Sequence, residues 1–592
     1  MTPPTLPTTS TTPALIIGAG PSGLTTALLL ASHGIRSTLV ERHITRTTSS
    51  LKAHAINPRS LEIFRQLGLD TAALRAQGIP PADGDTVRFA VSLAGRELGC
   101  LPYERQGAET LGITAEPLFN VPQPVLEKWL LDAVERDGLV TYYQGVQWED
   151  CEASPTSSSD GNGETEEAPG SFKLSSTLTS RTTNTTHTIT SKYILDCSGA
   201  HSRARSKLAI PFEPLPEYIQ NEVHHVSVHI RADLRKFKPA TLLVTPRERF
   251  SEEVCRGLVD EAIGEKVPYE IASITVWSTW PRTAEVYESP RFPSAAFVVG
   301  DAAHAFPPTG GLGVNTGIAD AHNLVWKIAA VEKGWTRISK SVDGSENTKG
   351  GPSASSTAGV TCGRLLSTYT TERRPIAVAN ARQSVKNQVK LHALKEALRD
   401  PPDVRAGDEY VRWKARLDAE LESNREHFDS IDLQIGYVYS GLVNGREGGG
   451  QGQGGEGSLA ARPCDVYIAS GVPGARLPHT WVSLPISRGD SKGPVSVLDL
   501  VEGTSFTLFV TAGPECQTTF SAVEKLPVPI RALRLGVDFD VADEEWVDLV
   551  GLSGDGNGQE RGLLVRPDQH ILGNVRSVAD VQALLEDLLS AR

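Results

Sequence analysis

Leu15-Ile-Ile-Gly-Ala-Gly-Pro-Ser-Gly-Leu24 is the stretch that decides the fold. Ala14 to Ile17 is a short apolar run suited to a buried parallel strand. Gly18 permits a tight turn, Gly20 lets backbone approach a pyrophosphate, and Gly23 lets the next helix pack on the strand. Thr25 to Ser32 continues as an apolar helix, and Gly34 stands where a helix stops. Ile35 to Val40 reads as a second strand ended by Glu41. A carboxylate at that distance accepts hydrogen bonds from ribose hydroxyls, while phosphates lie on the helix N-terminus. The glycines alone would fit a mere tight turn. Strand, turn, helix, strand and acidic residue in this order specify a dinucleotide-binding unit.

A second glycine-bearing segment lies far downstream: Val298-Val-Gly-Asp-Ala-Ala-His-Ala-Phe-Pro-Pro-Thr-Gly-Gly-Leu-Gly-Val-Asn-Thr-Gly317. Ala295 to Val299 is strand-like, and Asp301 follows a glycine at its end. Pro307 and Pro308 stiffen the loop and remove two backbone donors. Gly310, Gly311 and Gly313 let backbone lie against a flat ring. Asn315 to Val331 reads as a helix whose positive N-terminal end points at that ring.

Four further segments are informative: His54-Ala-Ile-Asn-Pro-Arg-Ser-Leu-Glu-Ile-Phe64, Val121-Pro-Gln-Pro-Val-Leu-Glu127, Leu366-Ser-Thr-Tyr-Thr-Thr-Glu-Arg-Arg-Pro375 and Gly562-Leu-Leu-Val-Arg-Pro-Asp-Gln-His570. With them, the chain resembles the single-component FAD-dependent aromatic hydroxylases of the para-hydroxybenzoate and phenol 2-monooxygenase type. The resemblance runs from about Ala14 to the C-terminus. It implies an α/β protein: a Rossmann-like FAD-binding domain interleaved with a mixed-sheet substrate domain, plus a C-terminal thioredoxin-like α/β domain. It also implies cofactor contacts from Gly18, Gly20, Gly23, Glu41, Arg42, Gln123, Asp301, Gly311 and Asn315. Asp301 would accept from a ribityl hydroxyl, Gln123 would reach the flavin side chain, and Pro307 would lie near the flavin's reactive carbon. Arg59, like Arg42, would contact FAD phosphates or carboxylates of the fold.

The implied chemistry is that NADPH or NADH reduces FAD, the reduced flavin takes up O2, and a flavin hydroperoxide passes oxygen to an electron-rich ring. The protein must add a base that draws a phenolic proton. His54 is the candidate, with packing or FAD contact as its alternative role. Trp277 and Trp280 either line an aromatic substrate pocket or pack a core. A phenolic compound of secondary metabolism is the expected substrate. The alternatives are a Baeyer–Villiger or epoxidising flavin monooxygenase, or a flavin-binding protein with impaired catalysis.

Two departures motivate that last alternative. In Leu195-Asp-Cys-Ser-Gly199 the family's aspartate falls on Ser198, with Asp196 two residues early. From Gly199 to Gly300 the chain also looks short for the substrate sheet. Val226 to Leu234 and Thr241 to Val244 are strand-like, and Arg247 to Asp260 is helix-like.

Composition sets limits. The 592 residues suffice for two or three domains. A formal net charge of −13 argues against bulk attraction to nucleic acid or anionic membrane. No apolar stretch is long enough to span a bilayer. Seven cysteines without CxxC spacing suit a reducing, cytoplasmic compartment and no structural metal site. Thr/Pro-rich residues 1–13 read as a disordered tail, not a signal peptide.

The expected organisation is that tail, a monooxygenase body over 14–443, a Gly-rich linker over 444–460 and the thioredoxin-like domain over 461–592. Substrate-domain parts fall at roughly 80–120 and 210–290. Ser154 to Gly170 and Ser339 to Gly363 read as surface insertions, and Asn444 to Gly457 as the domain linker. Cys516 has no CxxC partner, so the C-terminal domain is expected to be structural or to form a homodimer.

Overall fold

The structure is a computed structural model that describes residues 6–45, 53–154, 173–218, 223–237, 251–337, 354–398, 401–439, 463–485, 495–511, 522–553 and 561–590. Strand β1 (Thr9–Ile17) leads through the glycine turn into helix α1 (Pro21–Ser32), and the chain returns as β2 (Ser37–Glu41). β1 lies parallel between β2 and the long strand Thr186–Asp196, and Val140–Gln144 is parallel on the outer side of β2. The far edge of Thr186–Asp196 is divided. Its first half pairs antiparallel with Lys173–Ser180, which pairs in turn with Val146–Ser154. Its last residues pair parallel with Ala296–Val298.

That division positions the site. Ile17 is the register partner of Asp196, and Asp196 is the partner of Val298. The two glycine segments therefore leave the same end of one parallel sheet, where α/β sheets hold their ligands. Ala14, Leu15, Ile16, Leu39, Leu195, Phe297 and Val298 are all buried beneath them, with α1 and the helix Leu312–Glu332 packed on this core.

Away from this sheet lie two antiparallel ribbons, Thr86–Ala90 with Glu97–Pro102 and Val223–Ala232 with Tyr269–Thr279. Between the strands of the second lies the helix Glu252–Ile263, a little later than the helix-like stretch read from sequence. Leu93 and Ala94 donate backbone hydrogen bonds to Ala262 and Ile263, which ties the first ribbon to that helix. Thr241 to Val244 lies outside the described residues.

Two expectations are corrected. Residues 1–13 are not wholly a tail: β1 begins at Thr9, because β-branched threonines there extend the ladder from Thr9↔Thr188 onward. The insertion read over Ser339 to Gly363 ends early, since the helix Ala354–Leu398 already includes residues 354–363. Extending a helix that is anchored further along costs little compared with starting one. Of Ser154 to Gly170 only Ser154 and of the helix-like Arg247 to Asp260 only Ser251 onward are described, and the linker 444–460 lies outside the described residues.

In the C-terminal region the strand order is Ile530–Leu535, Phe506–Thr511, Gly562–Val565, Ile571–Val575. The first pair is parallel and the others antiparallel, and the helix Val578–Ser590 follows.

Candidate active site

Gly18 and Gly23 of the first loop each have a structural reason to be glycine. Gly18 has φ +99°, and a Cβ there would lie 2.6 Å from the Cys197 carbonyl oxygen. A Cβ on Gly23 would lie 1.9 Å from the Gly18 oxygen. A Cβ on Gly20 would meet nothing within 4 Å, so Gly20 faces open space at the start of α1. Glu41 stands beside it. One carboxylate oxygen accepts from Ala19 N at 2.9 Å, and the other accepts from His43 N at 2.9 Å. Arg42 is exposed, and its backbone carbonyl accepts from Arg181.

The second segment comes up alongside. Asp301 is exposed on the short turn Gly300–Ala302, and a Cβ on Gly313 would lie 3.9 Å from its Oδ1. Pro307 is buried in the loop that follows. Gly310 at φ +96° and Gly311 at φ +64° take the left-handed turn into Leu312–Glu332, which no side chain caps. The Asn315 side chain is satisfied within the fold. Its Nδ2 donates to the Ala55 and Gly311 oxygens, and its Oδ1 accepts from Asn57 N and Ser60 Oγ. Its side chain is spent on clamping the helix start to the segment after His54.

Behind the loop is a buried trio that the sequence reading missed. Asp320 accepts from Gly300 N, sits 2.7 Å from His304 Nε2 and accepts from Arg373 Nε at 2.7 Å. Burial would raise the Asp320 pKa, but Arg373 and His304 outweigh it and hold the group below its usual value. The available signal was a carboxylate in the middle of a long helix of small and apolar residues expected to be buried, which needs a buried partner.

His54 enters from the other side. Its carbonyl accepts from Val121 N, and Ala55–Ile56 pairs with Phe119–Asn120. Its Nδ1 lies 2.9 Å from Asn120 Oδ1, and its ring centroid is 6.4 Å from that of Tyr103. A Cβ on Gly311 would lie 3.0 Å from the Ala55 Cβ, so His54 is one residue from the glycine loop. Gln123 starts the helix Gln123–Asp137, and its Nε2 donates to Glu127. Arg59 turns away from the loop and donates to Glu62, Gln569 and the Asp568 carbonyl. Trp277 stacks on His225 and donates to Ser227 within its own ribbon, while Trp280 donates to the Tyr218 carbonyl. Asp196 is fully buried and accepts from Ser198 N, Ser198 Oγ and Ser202 Oγ, so it shapes a turn and leaves Ser198 half-buried above it.

This geometry meets an independent likeness. Residues 11–247 and 243–340 match the FAD binding domain family, over more than half of the chain. The chain belongs to that family. Phenol 2-monooxygenase of Pseudomonas sp. (strain EST1001) is 26% identical, with 98% of this chain and 92% of that protein covered. 2,4-Dichlorophenol 6-monooxygenase of Cupriavidus pinatubonensis is 27% identical over 98% of this chain and 95% of that protein. Among solved structures, the flavin-dependent monooxygenase PieE in complex with FAD and substrate aligns with a TM-score of 0.77 and 24% identity. It covers 98% of this chain and 99% of that one, a likeness of fold.

The residues present fit FAD. Gly20 leaves a ledge that a Cβ would fill, Glu41 is fixed beside it through Ala19, and Gly310 and Gly311 keep the second loop free of side chains at its turn. Among the described residues, no group of three or more His, Cys, Asp or Glu side chains could hold a metal ion. No described helix is long and apolar enough to cross a membrane.

Proposed function

We propose that this chain is an FAD-dependent monooxygenase that hydroxylates a phenolic ring, with His54 as the base. The observation that carries the reading is the meeting of three segments at one sheet end: the Gly18–Gly23 turn, the Asp301–Gly313 loop, and the His54 strand against Gly311. Relatives named for phenol and dichlorophenol, matched over nearly the whole chain, support the ring class.

Bound FAD would supply the activation of O2, and O2 itself would supply the oxygen atom. The chain's own residues do the rest. The Gly20 ledge and the α1 N-terminus would hold the pyrophosphate, Glu41 the ribose hydroxyls, and Asp301 the ribityl chain. The start of Leu312–Glu332, which no side chain caps, would favour negative charge on a bound flavin. His54 draws the phenolic proton and so raises the nucleophilicity of the ring carbon. NADPH or NADH is the reductant, and a cytoplasmic setting and a secondary-metabolite phenol complete the reading. Ser198 favours a second reading, a flavin-binding protein with impaired reduction, because it brings no charge to the family's aspartate position.

The test is spectroscopic. Purified protein should be yellow, should be bleached by NADPH without oxygen, and should consume O2 faster when phenols are supplied. A colourless protein that takes up no added FAD ends the reading. A yellow one that neither NADPH nor NADH bleaches establishes the second.

A further inference from the structure

The hydrogen-bond chain behind His54 has only one consistent polarity. Gln106 Nε2 lies 2.7 Å from the Gly84 carbonyl oxygen and 3.1 Å from that of Tyr103. Carbonyl oxygens only accept, so this end of Gln106 is its NH2 group. Its Oε1 then faces Asn120 at 3.3 Å, and Asn120 must donate to it through Nδ2. That turns the Asn120 Oδ1 toward His54 Nδ1, at 2.9 Å. An amide oxygen cannot donate, so Nδ1 carries the proton, and the lone pair of the neutral ring is on Nε2. Among the described residues, Nε2 has no hydrogen-bond partner.

The chain is built to hold this polarity. Asn120 is 3% and Gln106 5% exposed, so reversing either amide would strand buried donors or set oxygen against oxygen. The Asn120 backbone is pinned too, with its carbonyl accepting from Ile79 N and its register fixed against Ala55. The titratable neighbours leave Nδ1 alone. Burial, with Glu104 adding to it, raises the Tyr103 phenol above its usual range. The Glu104 carboxylate is bonded to Ser430 and Gln434. Arg105 is paired with Asp429.

We propose that Asn120, oriented by Gln106, is a positioning residue that sets the His54 tautomer and presents Nε2 as the proton acceptor for the phenolic substrate. This rests on the reading of His54 as base. In the step, the phenol O–H bond breaks and its proton passes to Nε2. The electron pair stays on the phenolate oxygen, and the imidazolium keeps its Nδ1–H on Asn120. No redox partner is involved.

The experiment measures FAD content, KM for phenol, and the pH profile of kcat with the ratio of product to NADPH consumed. It uses the holoenzyme and its Asn120→Asp, Asn120→Leu and His54→Ala variants. Asn120→Asp keeps an acceptor and adds a charge that favours imidazolium. It should stay coupled, with the rise of kcat displaced upward by about one pH unit. Asn120→Leu should lower kcat about ten- to a hundredfold with KM little changed. If Asn120→Leu fails to hold FAD, the displaced profile of Asn120→Asp decides alone. Should His54→Ala uncouple the enzyme while the Asn120→Asp profile stays in place, the positioning role is overturned and the base reading survives. If His54→Ala remains coupled, the base reading itself fails.

Discussion

Arg476 and Glu62 form a two-contact ion pair across 414 residues, at 2.8 and 2.5 Å, with side chains only 1% and 2% exposed. Glu62 sits on helix α2 (Pro58–Gln66), which starts four residues after His54. Arg59 and Thr114 complete its shell. A second buried cluster repeats the theme, with Arg566 bonded to Glu372 and Asp568, and Lys327 bonded to Glu372. The C-terminal region is thus joined to the FAD-binding body by buried charge rather than merely tethered after a linker.

Removing one partner of such a pair leaves a charge buried without compensation. Arg476→Met should cost about 3–5 kcal/mol, toward the low end because Arg59 remains beside Glu62. The Glu62→Gln, Arg476→Met double variant should recover part of that loss. Urea unfolding of the singles and the double checks this. Strictly additive losses would show that the pair is not coupled.

The glycine loop separates folding from cofactor binding. Gly20 has extended backbone and open space, so Gly20→Val should fold with a near-native unfolding midpoint and no bound flavin. Gly23→Val places a Cβ against the Gly18 carbonyl and should yield no folded protein. Circular dichroism together with flavin absorbance distinguishes the two. A yellow Gly20→Val protein would remove the pyrophosphate from that ledge.

Two buried carboxyls should push stability in opposite directions with pH. Burial raises Glu104 from 4.5 to about 7 despite its bonds from Gln434 and Ser430. The folded state then binds more protons than the unfolded one between these values, so Glu104 lowers stability as pH rises from about 4.5 to about 7. For Glu372 burial also raises the pKa, but Arg566 and Lys327 outweigh it and bring it to about 2. Its contribution is present above about 4.5 and is lost as pH falls toward about 2. Each effect is on the order of 3 kcal/mol. Relative to wild type, Glu104→Gln should gain stability on going from pH 4.5 to 7.5, and Glu372→Gln should lose it on going from pH 2.5 to 5. Unfolding midpoints across pH check both, and a flat difference for either variant refutes its assignment.

The sheet end was legible where local pattern and ligand demand coincide. The Ala14–Ile17 apolar run and the need for glycine at 18 and 23 follow from one loop's own geometry. The helix read from Asn315 to Val331 was legible in kind, but it begins three residues earlier, at Leu312. What escaped was long-range. Nothing near Asn315 says that Ala55, Asn57 and Ser60 will consume its side chain, and nothing near Arg59 points to Gln569, 510 residues away. Strand β1 was read short because threonines look like tail until Thr188 is known to lie opposite Thr9.

The most direct measurement of the account is the ratio of hydroxylated product to NADPH consumed, for wild type and His54→Ala at equal bound flavin. The account predicts a ratio near one for wild type with a phenolic substrate. For His54→Ala it predicts continued NADPH oxidation, hydrogen peroxide in place of product, and hydroxylation slowed by about 10²–10⁴. A His54→Ala enzyme with the wild-type ratio and rate would contradict it.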